Sequence, residues 1–299
     1  VGAWMTSAPP APSFAAVQAR WTPSEAYLLD RHGQVIDQRR MDFSVRRLEW
    51  TPLDAVSPAL IAAVVDGEDR RFWQHSGVDW VALFGAVRDQ LFSGRRRGGS
   101  TITMQVAALV EPRVRAGASA GAWHRKLAQM RMARAIEREW SKEQILEAYL
   151  NLLGYRGELQ GIAATSYGLA GKLPSGLTVP ESLVLAALLP APGASAERVI
   201  SRACSRAAAR RLDVQCESIR AAAAQMLNGR ALAQAGSNPH EVHLAPHLAR
   251  RLLRKAGDRV RTTLDARVQQ LAVNVMHQHL AGLAAQNVRD GAMLVVENE

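Results

Sequence analysis

The sequence predicts a mainly α-helical protein with a small N-terminal β segment. Three observations carry this. Apolar residues recur every three or four positions over long stretches, two helix-start signatures of the capping-box kind occur, and strand-like alternation is confined to residues 25–50. A chain of 299 residues with 48% apolar and 21% charged residues has enough apolar side chain for a real core, and is neither disordered, collagenous nor a coiled coil. Its two cysteines form no C-x-x-C pair, so a disulfide scaffold and a zinc ribbon are excluded. A multi-pass membrane protein is excluded too, because a run such as 182–189 falls far short of a bilayer span.

In chain order, residues 1–13 read as a Pro/Ala/Ser linker. EAYLLD and QVIDQRR then flank the turn Asp30-Arg31-His32-Gly33, a β-hairpin with Gly33 at positive φ. Ser57-Pro58 starts a helix through ALIAAVV. Trp80, Leu83, Phe84, Val87 and Leu91 form the stripe of the next helix, which ends in the basic loop 93–99. Leu127, Met130, Ala133, Ile136 and Trp140 define a long helix whose Arg131, Arg134 and Arg138 lie on a solvated face. Ser141 with Gln144, and Thr178 with Glu181, open two more helices, the second stopped by Pro190. Residues 195–255 read as two or three Ala/Arg helices. The final GAMLVVENE is strand-like and stops where a sheet would begin, so the chain reads as a fragment whose last 41 residues pack poorly.

The formal charge is +10, and 33 of the 37 basic residues are arginine. Arginine binds phosphate bidentately, which suits nucleic acid, an anionic membrane surface or a phosphorylated substrate. No zinc pattern, RNP-like aromatic motif or helix-turn-helix signal supports nucleic acid.

Three stretches can carry chemistry. Glu68-Asp69-Arg70-Arg71-Phe72-Trp73-Gln74-His75 follows an apolar helix. Two acids against two arginines there can split roles, one locked as an ion pair and the other partly desolvated as a base. In Gly98-Gly99-Ser100-Thr101-Ile102-Thr103-Met104-Gln105, glycines and hydroxyls at a helix start present backbone amides to an anion. Arg125-Lys126-Leu127-Ala128-Gln129 places Arg125 and Gln129 on one helix face.

Taken together, EDRRFWQH-SGVDW, GGSTITMQ, RKLAQ…SKEQILEAYLN and QGIAATSYGLAGK resemble the glycosyltransferase family 51 domain, the peptidoglycan polymerase module of class A penicillin-binding proteins. The TMQ ending and WTPSEAYLLDRHGQVI are most similar to the 1C type, and RTTLDARVQQLA resembles the start of that family's transpeptidase domain. No Ser-x-x-Lys or Lys-Thr-Gly motif accompanies it, so the transpeptidase site is absent.

The resemblance implies a lysozyme-like fold divided into a linker and β segment (1–50), a glycosyltransferase domain (51–215), a helical linker (216–258) and the start of a truncated transpeptidase domain (259–299). It implies polymerisation of lipid II into a glycan strand with release of undecaprenyl pyrophosphate, at the periplasmic face of a bacterial inner membrane, beside cell-wall synthesis or division proteins. Glu68 is then the general base, and Gln129 stands where the family usually has a second carboxylate. Asp69 and Arg70 hold Glu68, while Gly98, Ser100, Thr101 and Gln105 line the donor site. Arg125 and Lys126 bind the pyrophosphate, and Lys172 ends the fourth motif. No cofactor is required, and a divalent cation (Mg²⁺ or Mn²⁺) is an option. Besides Gln129, two positions depart from the family pattern: Ala108 replaces a base, and Leu169-Ala170 replace an aromatic pair. These departures favour a second reading, a non-catalytic lipid II-binding or cell-wall-assembly scaffold.

Of the remaining residues, His240, His243 and His247 read as exposed histidines of a linker helix rather than metal ligands. Cys204 and Cys216 read as two unpaired core thiols. Trp73, Trp80, Phe84 and Phe92 read mostly as core, some resting at a lipid interface.

Overall fold

The structure is a computed structural model, and it describes residues 10–85, 99–111, 122–228 and 242–296. Chain contacts divide it into two compact units, residues 1–22 with 45–238 and residues 23–44 with 239–299. The β hairpin is therefore grouped with the C-terminal segment rather than standing in an N-terminal portion of its own.

The larger unit is helical. Its elements are α1 (Phe14–Ala19), α2 (Pro58–Glu68), α3 (Ile102–Val110), α4 (Ala122–Glu139), α5 (Lys142–Leu152), the short strands β3 (Gly154–Arg156) and β4 (Leu159–Gln160), α6 (Ile162–Thr165), α7 (Val179–Leu188), α8 (Ala196–Ala209) and α9 (Cys216–Leu227). In the smaller unit are β1 (Glu25–Leu29), β2 (Val35–Arg40), α10 (Pro246–Leu252), β5 (Arg259–Arg261) and α11 (Ala266–Leu283).

In the larger unit α7 is the central element, buried at every position from Glu181 to Leu188. A helix apolar all round has no solvent face to offer. It packs on α2, α8 and α9, while α3 packs on α4 and α5. Glu181 accepts from the Thr178 amide and hydroxyl, each at 2.8 Å, at the start of α7. Ser141 and Gln144 make the reciprocal box on α5, with bonds of 3.0 and 3.2 Å. Ser57 departs from expectation. Proline at N1 starts α2, but the Ser57 hydroxyl donates to the Leu177 carbonyl (2.8 Å) and not to its own helix. The N-terminal segment is pinned by aromatics: Phe14 meets Trp140 edge-on at 5.3 Å, and the Trp140 indole N–H donates to the Pro12 carbonyl.

Cys204 on α8 and Cys216 at the start of α9 form a disulfide, which corrects the expectation of free thiols. The reason is local topology. A six-residue turn folds α9 back on α8 and brings the two Cα atoms to 5.2 Å, within bonding range.

The smaller unit is a three-stranded sheet ordered β2-β1-β5, with α10 packed against β1 and β2. The hairpin forms as the sequence indicates, with Gly33 at φ +87°. The parallel strand β5 carries no alternation that would reveal it, because it is three residues long and two of them are exposed arginines. Ala26, Leu28, Ile36, Ala245, Ala249 and Leu253 form a small core. Helix α11 has no buried residue, and residues 291–296 are not a strand. The strand-like tail has no partner to supply ladder bonds.

Candidate active site

Glu68 is the last residue of α2, and the buried face of that helix (Leu60, Ala63, Val64, Val65) fixes where it ends. The carboxylate meets a cavity of about 880 Å³, lined by Glu68, Asp69, Arg70, Arg71, Ser100, Thr101, Gln105 and Pro190 among others. A second cavity of about 250 Å³ shares Ser100 and Gln105 with the first and adds Met104, Ala108, Leu109, Gln129 and Leu153.

Gln105 orients the carboxylate. Its Nε2 donates to Glu68 Oε2 at 3.0 Å, and its Oε1 accepts from the Tyr149 hydroxyl at 3.2 Å. Tyr149 is fully buried. Burial pushes its phenol far above the ordinary value and the Glu68 charge adds to that, so the hydroxyl keeps its proton for Gln105 Oε1, while a carboxylate, which can only accept, takes the amide N–H. That fixes the amide with its nitrogen toward Glu68.

Asp69 does different work from its neighbour. It is buried, takes the His75 Nε2 proton donor at 3.0 Å and accepts from the Ile102 amide at 3.0 Å. The anion at the start of α3 is thus the protein's own. Thr101, also buried, donates to the Gly77 carbonyl (2.6 Å) and caps α3 by accepting from the Met104 amide. Gly77 sits at φ +86°, and a Cβ there would lie 2.9 Å from the Ala133 carbonyl carbon, so α4 leaves room only for glycine. Beneath, Thr103 and Lys142 both donate to Glu137, at 2.7 and 2.6 Å, and Lys142 also reaches the His75 carbonyl. These bonds tie the two sides of the cavity, α2–His75 and α3, to α4 and α5.

Lys126 on α4 lies against the Ser100 hydroxyl, and partial burial lowers its pKa from the ordinary lysine value. Arg125 beside it is exposed.

A sequence profile of the family described as Transglycosylase matches residues 32–219. The chain is 38% identical over 184 residues to a biosynthetic peptidoglycan transglycosylase of Rhodospirillum centenum, covering 59% of this chain and 72% of that one. It is 34% identical over 170 residues to a protein of the same name from Pasteurella multocida, covering 57% and 67%. To penicillin-binding protein 1C of Escherichia coli it is 35% identical over 245 residues, covering 74% of this chain but only 29% of that protein. The chain belongs to the Transglycosylase family.

The transglycosylase fold collects Glu68, Asp69, Arg70, Ser100, Thr101 and Gln105 around one cavity and brings Gln129 to the adjoining one. Gly98 and the loop arginines Arg95, Arg96 and Arg97 lie outside the described residues, as do Phe92 and His240. Four expectations need correction. Neither Asp69 nor Arg70 holds Glu68: Asp69 is spent on His75 and Ile102, and Arg70 faces Asp66 at 3.6 Å. Asp69 is bonded to histidine and a backbone amide rather than to an arginine. Lys172 pairs with Glu181 at 2.8 Å and is not among the residues lining either cavity. Leu169 and Ala170 are buried in the hydrophobic core, so that departure from the family pattern is a packing change. Trp73, Trp80 and Phe84 are 50%, 50% and 70% exposed, not core, and Phe84 lines the larger cavity. The helix that begins at residue 80 is described only to residue 85.

Sequence reasoning missed Tyr149 and Arg206. Both lie in helices that read as ordinary core or solvated arginine faces, and no spacing signal ties either to Glu68. His243 and His247 are exposed as expected, although His243 lies in a β bridge to Asp37 rather than in a helix. No group of three or more His, Cys, Asp or Glu residues that could hold a metal occurs among the described residues, and the second cavity offers the neutral Gln129 amide.

Proposed function

We propose that this chain is a peptidoglycan glycosyltransferase that polymerises lipid II, with Glu68 as general base. The observation that carries the reading is Glu68 itself: a half-buried carboxylate at a cavity wall, oriented by the Tyr149–Gln105 chain, beside an Asp69 whose oxygens are already used. An acceptor hydroxyl is a poor nucleophile until a base takes its proton. Glu68 takes the proton of the acceptor sugar's 4-hydroxyl. The oxygen then bonds to the donor's anomeric carbon as that carbon's bond to undecaprenyl pyrophosphate breaks, with inversion.

Pyrophosphate leaves readily once its charge is met, so cations suffice and no second carboxylate is required. Lys126, held on Ser100, which lines both cavities, and Arg125 beside it are suited to that charge. Gln129 contributes only hydrogen bonds. The exposed aromatics Trp73, Trp80 and Phe84 suit an acyl chain or lipid surface next to the cavity, consistent with a place at the bacterial cell envelope. No helix of the described residues is long and apolar enough to cross a membrane.

The test is glycan-strand formation from labelled lipid II. The parent should make strands, and Glu68→Gln should lose roughly 10²–10⁴-fold in rate with its fold intact. Ala108 in the second cavity favours the alternative of a binding scaffold, which predicts lipid II binding without strands from the parent.

A further inference from the structure

Glu68 closes a helix whose C-terminal end is itself a pole of negative partial charge, an unfavourable place for a carboxylate that must be ionised to accept a proton. A second helix end converges on the same spot, because the last turn of α7 packs on α2 and Pro190, just beyond it, lines the same cavity. Two helix C-termini and a carboxylate call for a compensating cation. The local positive groups are mostly engaged elsewhere: Arg70 and Arg210 on Asp66, Arg71 on Asp79.

Of the other cations nearby, Lys126 lies on Ser100 and Arg202 reaches the Ala187 carbonyl of α7 at 3.4 Å, and the one that joins the ends of α2 and α7 is Arg206 of α8. Its guanidinium is half-buried, has no carboxylate partner within 4.0 Å among the described residues, and donates to two helix ends at once. Nη1 reaches the Ala186 carbonyl of α7 at 3.1 Å and Nη2 the Gly67 carbonyl of α2 at 3.5 Å. It is close enough to feel the Glu68 charge: burial lowers its pKa while the Glu68 carboxylate works against that. Gly67 makes room for it. A Cβ at Gly67 would stand 2.4 Å from Arg206 Nη1 and 2.8 Å from Cζ, although the Gly67 backbone is helical and demands no glycine. Glycine is a poorer helix former than alanine, so its place in the last turn calls for something that needs its side-chain space. Here an arginine does.

We propose that Arg206, seated on Gly67, is a positioning residue for the transfer reaction: it clamps the ends of α2 and α7 together and supplies the positive charge that keeps Glu68 ready to accept a proton. The inference rests on Glu68 acting as the base. The other charged or titratable groups facing Glu68 are Tyr149 from α5, the Arg71–Asp79 pair across the cavity, and Asp66, Asp69 and Arg70 from its own segment. Arg70 and Arg71, like Arg210 on Asp66, have carboxylate partners, while Lys126 on Ser100 and Arg202 at the end of α7 are further cations of the region.

The test compares pH–rate profiles of lipid II polymerisation, with thermal unfolding in parallel, for the parent, Arg206→Met, Arg206→Lys, Gly67→Ala and the Gly67→Ala/Arg206→Met double variant. Arg206→Met should lower the rate below neutral pH by about tenfold and move the acidic limb upward by roughly half to one unit, the low end for loss of a nearby opposite charge. Arg206→Lys should keep the limb near the parent's. Gly67→Ala should reproduce the Met variant's shift by evicting the guanidinium, and should add nothing once Arg206 is already Met. An acidic limb that stays in place in Arg206→Met, or a rate loss that merely follows the fall in Tm in every variant, overturns the inference while leaving the function intact. A parent that makes no strands overturns the functional reading, and this inference with it.

Discussion

Glu68 and Asp69 are adjacent in sequence, yet their surroundings give them opposite uses. Asp69 faces inward to His75 and the start of α3, and Glu68 faces the cavity with one amide donor on it. Replacing Gln105 by Leu removes that donor and leaves the Tyr149 hydroxyl without its acceptor. We expect a loss of activity between those of Gln129→Ala and Glu68→Gln, and a stability cost of about 1–3 kcal/mol from the buried hydroxyl, read by strand formation and denaturant unfolding. Gln129→Ala should cost much less than Glu68→Gln, because the amide takes no proton. Gln129→Glu should raise sensitivity to chelator, since a carboxylate ligates divalent cations better than an amide. Equal sensitivity in parent and variant would remove Gln129 from any metal argument.

Asp79 gives a pH prediction at the same scale. The Arg71 hydrogen bond, at 2.9 Å to Nε, holds its carboxyl below the ordinary aspartate value against the opposing effect of burial. A carboxyl with a depressed folded pKa contributes stability above its unfolded value, near pH 4. That contribution is lost as pH falls through the lower folded value. Stability should therefore drop below about pH 4. Asp79→Asn should be less stable at neutral pH and show a shallower acid drop, measured as Tm from pH 7 to 3.

At the scale of elements, the reading from sequence held where the signal was local. The Ser141 and Thr178 caps, the Pro58 start of α2, the end of α7 before Pro190 and the Gly33 hairpin are all legible, because each depends on backbone groups within four residues. Ser141→Ala should cost about 1 kcal/mol by denaturant unfolding. The disulfide was not legible, because spacing alone does not say whether the turn between two helices closes or splays. Cys204–Cys216 spans 12 residues, and a loop of that size stabilises by about 2–4 kcal/mol through its restriction of the unfolded chain. Reduction, or Cys204→Ser, should lower Tm, and α8 and α9 should lose amide protection ahead of α7.

At the scale of the whole molecule, burial is uneven. The larger unit has a continuous core from Val17 to Met226, whereas α11 and the following residues expose Val268, Leu271, Met293, Leu294, Val295 and Val296. Limited proteolysis should cut first within residues 266–299; a tail as resistant as α4 and α5 would contradict this. Trp73, Trp80, Val81 and Phe84 are exposed, and Val81 and Phe84 line the larger cavity. Replacing Trp80 and Phe84 by Ser should weaken binding to anionic vesicles without lowering Tm, since neither is core.

The sequence by itself determined the helical class, the hairpin, the capped helix starts and the two motifs, 68–75 and 98–105, from which several cavity-lining residues come. Those depend on short-range patterns, and on motifs whose residues lie within eight positions of one another. Only the tertiary structure decided which residue holds Glu68, where Asp69 spends its oxygens, that Lys172 belongs to Glu181, that Leu169 and Ala170 are core, and that β5 completes the sheet. Several of those outcomes pair groups far apart in the chain, such as Glu68 with Gln105 or Asp69 with Ile102. Such pairs form because packing the helices brings polar groups together whose burial without a partner would cost more than the bond returns.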